Sequence, residues 1–272
     1  MSTLDVARKD FLDVRRAKIV WFVGALYVVF MALLVYFGQY GVSEPNVRDA
    51  LWNLTAVGAL FIPLIALVTA YLAIAGERES GAIKYLLSIP NSRRDVVLGK
   101  FLTRTVVVSA SIAVAFLVGG ALALALYPSP AMDVIAIMAA LTLLYALTYV
   151  AVAIGISAAT DSRSRAMGGS IAFFFVTSVL NVLGPLQLAI DYLANDLAGL
   201  EISSEQILFV QSLISPTTAY VNSTGLAFPD GFRTIPEELP WFLAGEVMVV
   251  VMLAWLVVPL ALGTVWFGRA DL

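Results

Sequence analysis

E-R-E-S-G-A-I-K-Y-L-L-S-I-P-N-S-R-R-D-V-V-L-G-K-F-L-T-R, Glu77 to Arg104, is the one long polar interval between apolar runs that carries both strong charge and a short amphipathic helix of its own. Gly81 opens that helix, Ala82 to Ser88 make two turns, and Pro90 stops it, since proline cannot continue the hydrogen-bond ladder. Ile83, Leu86 and Leu87 share one face at i, i+3, i+4 spacing, with Lys84 and Ser88 off it. Asn91 or Ser92 then offers an N-cap, and Asp95 stands in the capping-box position three residues after Ser92. The helix that opens there carries Arg93, Arg94, Lys100 and Arg104 toward the next apolar run. A short helix lying between two membrane helices is placed to be pushed by a soluble partner. The other reading is a re-entry loop with the usual positive charges.

The flanking runs set the class. Hydrophobic residues are 61% of the 272 and charged ones 13%, against about a quarter charged in a soluble domain. This is the composition of an all-α integral membrane protein. Six apolar runs, Ile19–Phe37, Leu51–Ala75, Thr105–Tyr127, Ala131–Ala159, Ala166–Leu188 and Trp241–Phe267, reach the roughly 20 residues that span the hydrocarbon. None contains Lys or Arg, and Trp21, Trp52, Tyr127, Trp241 and Trp266 sit near their ends, as interfacial aromatics do.

Six spans put both termini on one side with the loops at 76–104 and 160–165. That side holds Arg8, Lys9, Arg15, Arg16, Lys18, Arg78, Lys84, Arg93, Arg94, Lys100, Arg104, Arg163, Arg165 and Arg269, which is 14 of the 16 basic residues. Only Arg48 and Arg233 fall opposite. The positive-inside rule therefore makes both termini and the Glu77–Arg104 loop cytoplasmic.

Before the first run, Leu4, Ala7, Phe11 and Val14 recur at helical spacing while Arg8, Lys9, Asp10, Asp13, Arg15 and Arg16 occupy the other face. This predicts an interfacial helix; a targeting peptide would need a shorter apolar run and a small-residue cleavage site. Late in the chain, the acidic segment 189–240 is too polar to span and too long for a turn. One or two short helices are expected there, one of them capped by Ser203 or Ser204 and ended by Pro216, resting on the membrane surface or roofing the path; the other reading is a partly ordered loop. Within the spans, Ala151, Gly155 and Ala159 repeat a small residue every four positions, which serves helix packing within a subunit or dimerisation. Asn181, Gly184 and Pro185 interrupt the fifth run and predict a kink or break near its outer end.

Chemistry is narrowed by what is missing. The chain has no Cys and no His, which removes thiol nucleophiles, imidazole bases and the commonest metal ligands together. The only Gly-Lys pair, Gly99-Lys100, lacks the rest of a phosphate-binding loop, with Arg94 and Phe101 at the positions that need Gly and Ser or Thr. Basic residues hug the membrane boundary without interleaved aromatics, so phospholipid headgroups rather than nucleic acid are the expected anions. No charged residue lies in mid-membrane, unlike a proton- or sodium-coupled carrier. A self-sufficient carrier and a membrane anchor for a larger complex stay open as alternatives.

These features together resemble the permease subunits of ABC exporters of the second class, the six-helix type, over the whole chain. The resemblance rests on A-R-K-D-F at Ala7 to Phe11 with Arg15-Arg16, and on the series Glu77, Glu79, Gly81, Leu86, Leu87, Pro90, Arg93, Arg94, Gly99 and Lys100. S-P-T-T-A-Y at Ser215 to Tyr220 resembles the subgroup acting with nitrous oxide reductase maturation, with Ser215 where that subgroup usually has Asn. The resemblance implies a single permease domain over 1–272, with an elbow helix in 1–18, a coupling loop at 77–104 and an extracytoplasmic segment at 189–240. It implies a non-catalytic subunit in a prokaryotic plasma membrane, working with cytoplasmic ABC ATPase subunits and a second permease, identical or different. ATP and Mg would sit on the ATPase, with no cofactor or metal on this chain. Glu77, Glu79, Gly81, Ile83, Tyr85, Leu86, Leu87, Pro90, Arg93, Arg94 and Lys100 would meet the ATPase. Asn181, Gly184, Pro185 and Pro216 would shape an outer gate.

Overall fold

The computed structural model describes residues 3–16, 18–40, 45–88, 92–228 and 240–270. Among them every regular element is helical. The chain runs through α1 (Thr3–Val14), α2 (Lys18–Phe37), α3 (Val47–Ala70), α4 (Ala75–Glu79), α5 (Ala82–Ser88), α6 (Arg93–Leu126) and α7 (Met132–Ala159). It continues through α8 (Arg163–Phe174), a π-helical turn (Phe175–Val179), α9 (Leu180–Val182), α10 (Pro185–Asp191), α11 (Ser204–Ile214), α12 (Pro216–Ser223) and α13 (Gly245–Arg269).

Five stretches among the described residues are long and apolar enough to cross a membrane: Val47–Glu79, Arg93–Leu126, Met132–Ala159, Arg163–Val182 and Gly245–Arg269. The first predicted run is represented by a shorter apolar stretch, Trp21–Phe37, within α2. The second and third runs extend into their polar flanks, and the fifth and last each lose several residues at one end. The fifth run ends at Val182 rather than Leu188, because Gly184 takes φ +95° and Pro185 restarts the chain as the first turn of α10. A φ this far into the positive range favours glycine, and proline fits a helix start. The last helix begins at Gly245, with Trp241–Leu243 forming a separate 3₁₀ turn.

At the centre stands α7, apolar on all sides and therefore able to bury all of them. It packs along α13, α3 and α6. Tyr145, Tyr149, Met138 and Ile154 are fully buried. The small-residue repeat faces α13 within this chain. A Cβ on Gly155 would stand 2.5 Å from the backbone oxygen of Pro259, and one on Gly263 would stand 2.7 Å from the Cα of Gly155. Ala151 is buried beside them and Ala159 half-buried. Two glycines thus let the backbones of α7 and α13 touch.

The acidic late segment departs from expectation. Ser203 does cap α11, in a capping box with Gln206. But α12 does not rest on a surface: Pro216, Thr217, Thr218, Ala219, Tyr220 and Ser223 are buried, against α13, α7 and α3. Its polar composition reads as an exposed loop, yet the hydroxyls find their partners inside the bundle.

Candidate functional site

Two constellations bring the singled-out residues together. The first is built on the Glu77–Arg104 stretch. The expected amphipathic helix forms as α5, opened by Gly81 at φ +75°, and the capping box of Ser92 and Asp95 starts α6. In α5, Ile83 and Leu86 are buried in the chain's own core, and Leu87 packs partly against it. Tyr85 is 79% exposed, beside exposed Lys84 and Ser88. The outward face of α5 is therefore Lys84, Tyr85 and Ser88, while Leu86 holds the helix down. Arg94 is exposed; Pro90 lies outside the described residues.

The three residues ahead of α5 each bind a different helix. Glu77 Oε1 accepts from Lys100 Nζ of α6 at 2.6 Å. Arg78 donates to the carbonyls of Ala158 (3.3 Å) and Thr160 (2.7 Å), where α7 ends. Glu79 Oε2 accepts from the backbone N–H of Arg163, where α8 begins, at 2.6 Å. A carboxylate at a helix N-terminus and a guanidinium at a C-terminus each answer the unpaired backbone groups and the helix dipole there. Ser157 of α7 completes the junction, its Oγ accepting from the N–H groups of Ile74 and Ala75 at 3.0 Å each. Arg93 does for α13 what Arg78 does for α7, donating to the carbonyls of Phe267, Gly268 and Ala270 at 2.6–3.1 Å. Both guanidiniums lie over the Phe267 ring, at 5.8 Å for Arg78 and 5.7 Å for Arg93.

Lys100 is turned inward. It is 2% exposed, and besides Glu77 it pairs with Asp10 of α1 at 2.9 Å, whose second oxygen lies 3.4 Å from Arg104. Asp10, placed by its spacing on the solvated face of α1, is in fact buried with Val6 and Ala7 against α6. Gly99 permits this contact, since a Cβ there would stand 2.8 Å from Val6. Thr103 donates to the Ala7 carbonyl and Thr3 to Asp95. The predicted stripe is split: Ala7 is buried against α6, while Leu4 is 67% and Phe11 39% exposed and Val14 is half-buried.

The second constellation is a buried hydroxyl network joining α7, the π turn and α12. Thr217 is its hub. Its Oγ1 lies within hydrogen-bond distance of Tyr149 OH (2.7 Å), Tyr145 OH (2.9 Å) and Ser178 Oγ (3.0 Å). Tyr149 also meets Thr177 and Ser178, and Tyr145 donates to the Ala59 carbonyl of α3 at 2.8 Å. Tyr220 stacks on Tyr145 with centroids 4.2 Å apart and pairs with Thr142. Ser215 caps α12 and donates to the Thr177 carbonyl within the π turn. Asn181 accepts from Gln211 and Thr218, which ties the end of the broken span to α11 and α12. Pro216 is buried at the first turn of α12.

This network holds no carboxylate and no cation. It is a set of neutral donors and acceptors that satisfy one another, and what it can do is hold α12, α7 and the π turn in one relative position. No group of acidic residues among those described could hold a metal ion. Sequence reasoning singled out Ser215 to Tyr220 but not Tyr145, Tyr149 or Ser178. The available signal was the run Thr142, Tyr145 and Tyr149, a hydroxyl stripe at helical spacing in an otherwise apolar helix. Asp10 and Arg78 were missed as well.

The described residues form a polytopic helical bundle with an amphipathic loop fastened at one end, an architecture that suits a membrane-embedded transporter subunit. Residues 4–272 match the ABC-2 family transporter proteins, and the chain belongs to that family. It is 27% identical over 281 residues to the probable ABC transporter permease protein NosY of Pseudomonas aeruginosa, covering 97% of each chain. It is also 27% identical over 115 residues to the protein of the same description in Stutzerimonas stutzeri, covering 41% of this chain and 42% of that one. The chain is thus a membrane-spanning subunit of an ABC transporter.

Proposed function

We propose that this chain is the membrane subunit of an ATP-driven exporter, working as one of a permease pair with two ATPase subunits on separate chains. ATP and Mg would belong to those subunits. In this reading α2 is the first of six spans: its 20 residues reach about 30 Å, the thickness of the hydrocarbon core. The basic end is cytoplasmic in a prokaryotic plasma membrane, α1 is the elbow helix with Leu4 and Phe11 in the leaflet, and α5 is the coupling helix.

One observation carries the reading. Glu77, Arg78 and Glu79, two residues ahead of α5, are fastened one by one to α6, α7 and α8, so a push on α5 is passed through Ser80 and Gly81 to three spans. Tyr85 and Lys84 offer the push a surface. Asn181, Gly184, Pro185 and Pro216 at the broken span would then form the outer gate, which moves as the pair rocks while the network around Thr217 keeps α12 fixed to α7.

Two substitutions in adjacent residues separate partner contact from folding. Tyr85→Asp is expected to abolish co-purification of the ATPase and transport while leaving the thermal midpoint of the isolated permease unchanged. Leu86→Asp is expected to lower that midpoint, because it buries a carboxylate in the chain's own core. An ATPase that still binds and drives transport with Tyr85→Asp would overturn the coupling role of α5.

A further inference from the structure

Between α1, α2 and α6 runs a groove of about 530 Å³, within the range of about 300–1,000 Å³ typical of small-molecule sites. Its floor is made of small side chains, Gly24, Ala25, Ala110 and Ser111, between walls that include Val28 and Val114. The floor is recessed because α2 and α6 come close there: a Cβ on Gly24 would stand 3.3 Å from Ser111 Oγ. That hydroxyl is already committed to the Val107 carbonyl at 2.9 Å, so the floor is apolar in effect. Along α2 the groove follows Trp21 to Val28, and along α6 Val106 to Val114, about 10 Å of helix in each case.

One end differs from the rest. Arg15 lines it, and its carbonyl accepts from the Trp21 indole at 3.2 Å, fixing the junction of α1 and α2. Trp21 is 74% exposed, as an interfacial tryptophan at headgroup level would be. Among the described residues that line the groove none is acidic. Of the acids of α1, Asp10 is engaged by Lys100 and Arg104, and neither Asp5 nor Asp13 lines the groove, so Arg15 is the one charge among its described lining residues. A narrow apolar trough of this length, ending at an arginine beside an interfacial tryptophan, has the shape and charge order of a phospholipid: chain, boundary, phosphate.

We propose that this groove binds one acyl chain of an anionic phospholipid, with the phosphate on Arg15. A second helix fits less well. An arginine beside an interfacial tryptophan at one end of an otherwise apolar trough matches a headgroup followed by a chain rather than the even apolar face of a helix. The site is independent of the ATPase reading.

The test is native mass spectrometry of the intact chain purified in mild detergent and titrated with phosphatidylglycerol or with phosphatidylcholine of the same chains. Wild type should retain the first lipid about fivefold better than the second, the effect of one basic residue at an anionic headgroup. Arg15→Gln should erase that preference while both lipids still bind. Ala110→Trp fills the trough and should remove the tight site for either lipid. Ala110 is exposed, so the fold should tolerate the change, and Arg15→Gln carries the test alone if it does not. Equal retention of the two lipids by wild type, a preference that survives Arg15→Gln, or unchanged occupancy in Ala110→Trp would each overturn the proposal. So would a shift of Ala110→Trp from dimer to monomer with lipid retained, which would mark the groove as a protein interface.

Discussion

Lys100 shows how a charge can be structural at a membrane boundary. Its ammonium is buried between two carboxylates of different helices, and desolvation makes such a group costly unless every partner is present. Lys100→Met should destabilise the purified permease by about 3 kcal/mol, toward the lower end of the 3–5 kcal/mol seen when a buried pair is broken, because Arg104 still faces Asp10. Adding Asp10→Asn should recover part of the loss, and thermal unfolding in detergent would read both. If the double variant is less stable than the single one, Asp10 is not the partner that matters. The sequence alone could not reveal this arrangement. Asp10 sits among Arg8, Lys9 and Asp13 on what looks like a solvated face, and Lys100 is 90 residues away. Thr217 was hidden for a related reason: a polar residue signals burial only when its partners are known, and these come from α7 and the π turn.

At the scale of elements, the positions of the apolar helices were legible, their ends and interruptions only half so. Asn181, Gly184 and Pro185 announced a break, since φ > 0 and a missing N–H are properties of the residues themselves. The π turn at Phe175–Val179 gave no such sign, because F-V-T-S-V contains neither Gly nor Pro and the register shift is answered from outside by Ser215. The short helix α5, the capping box of Ser92 and Asp95 and a cap at Ser203 were legible because local spacing decides them. The contact of α7 with α13 can be tested directly. Gly155→Leu drives a side chain into the backbone at Pro259 and should cost about 1–3 kcal/mol as an overpacked core does. Leu at Ala159, half-buried one turn further on, should cost clearly less. Equal thermal midpoints for the two variants would contradict the close approach.

At the scale of the molecule, the strongest sequence signal was the sidedness of charge, and it is open to a simple check. The chain has no cysteine, so single cysteines report without background. Ser88→Cys, beside the outward face of α5, should react with a membrane-impermeant maleimide only in inside-out vesicles, and Ser203→Cys only in right-side-out ones. Labelling of both from one side would discard the proposed orientation. The position of α12 was beyond reach at this scale, because average polarity sorted it with the loops.

Arg93 clamps the carbonyls at the end of α13 from the first turn of α6, and α13 in turn lies along α7. The clamp joins residues 174 to 177 positions apart. During synthesis, therefore, the early helices emerge and insert with one guanidinium still waiting and one side of α7 still open. The bundle cannot lock until the last helix has left the ribosome. A nascent chain halted before α13 would leave the Arg93 guanidinium without those carbonyls and the α13-facing side of α7 uncovered within the membrane.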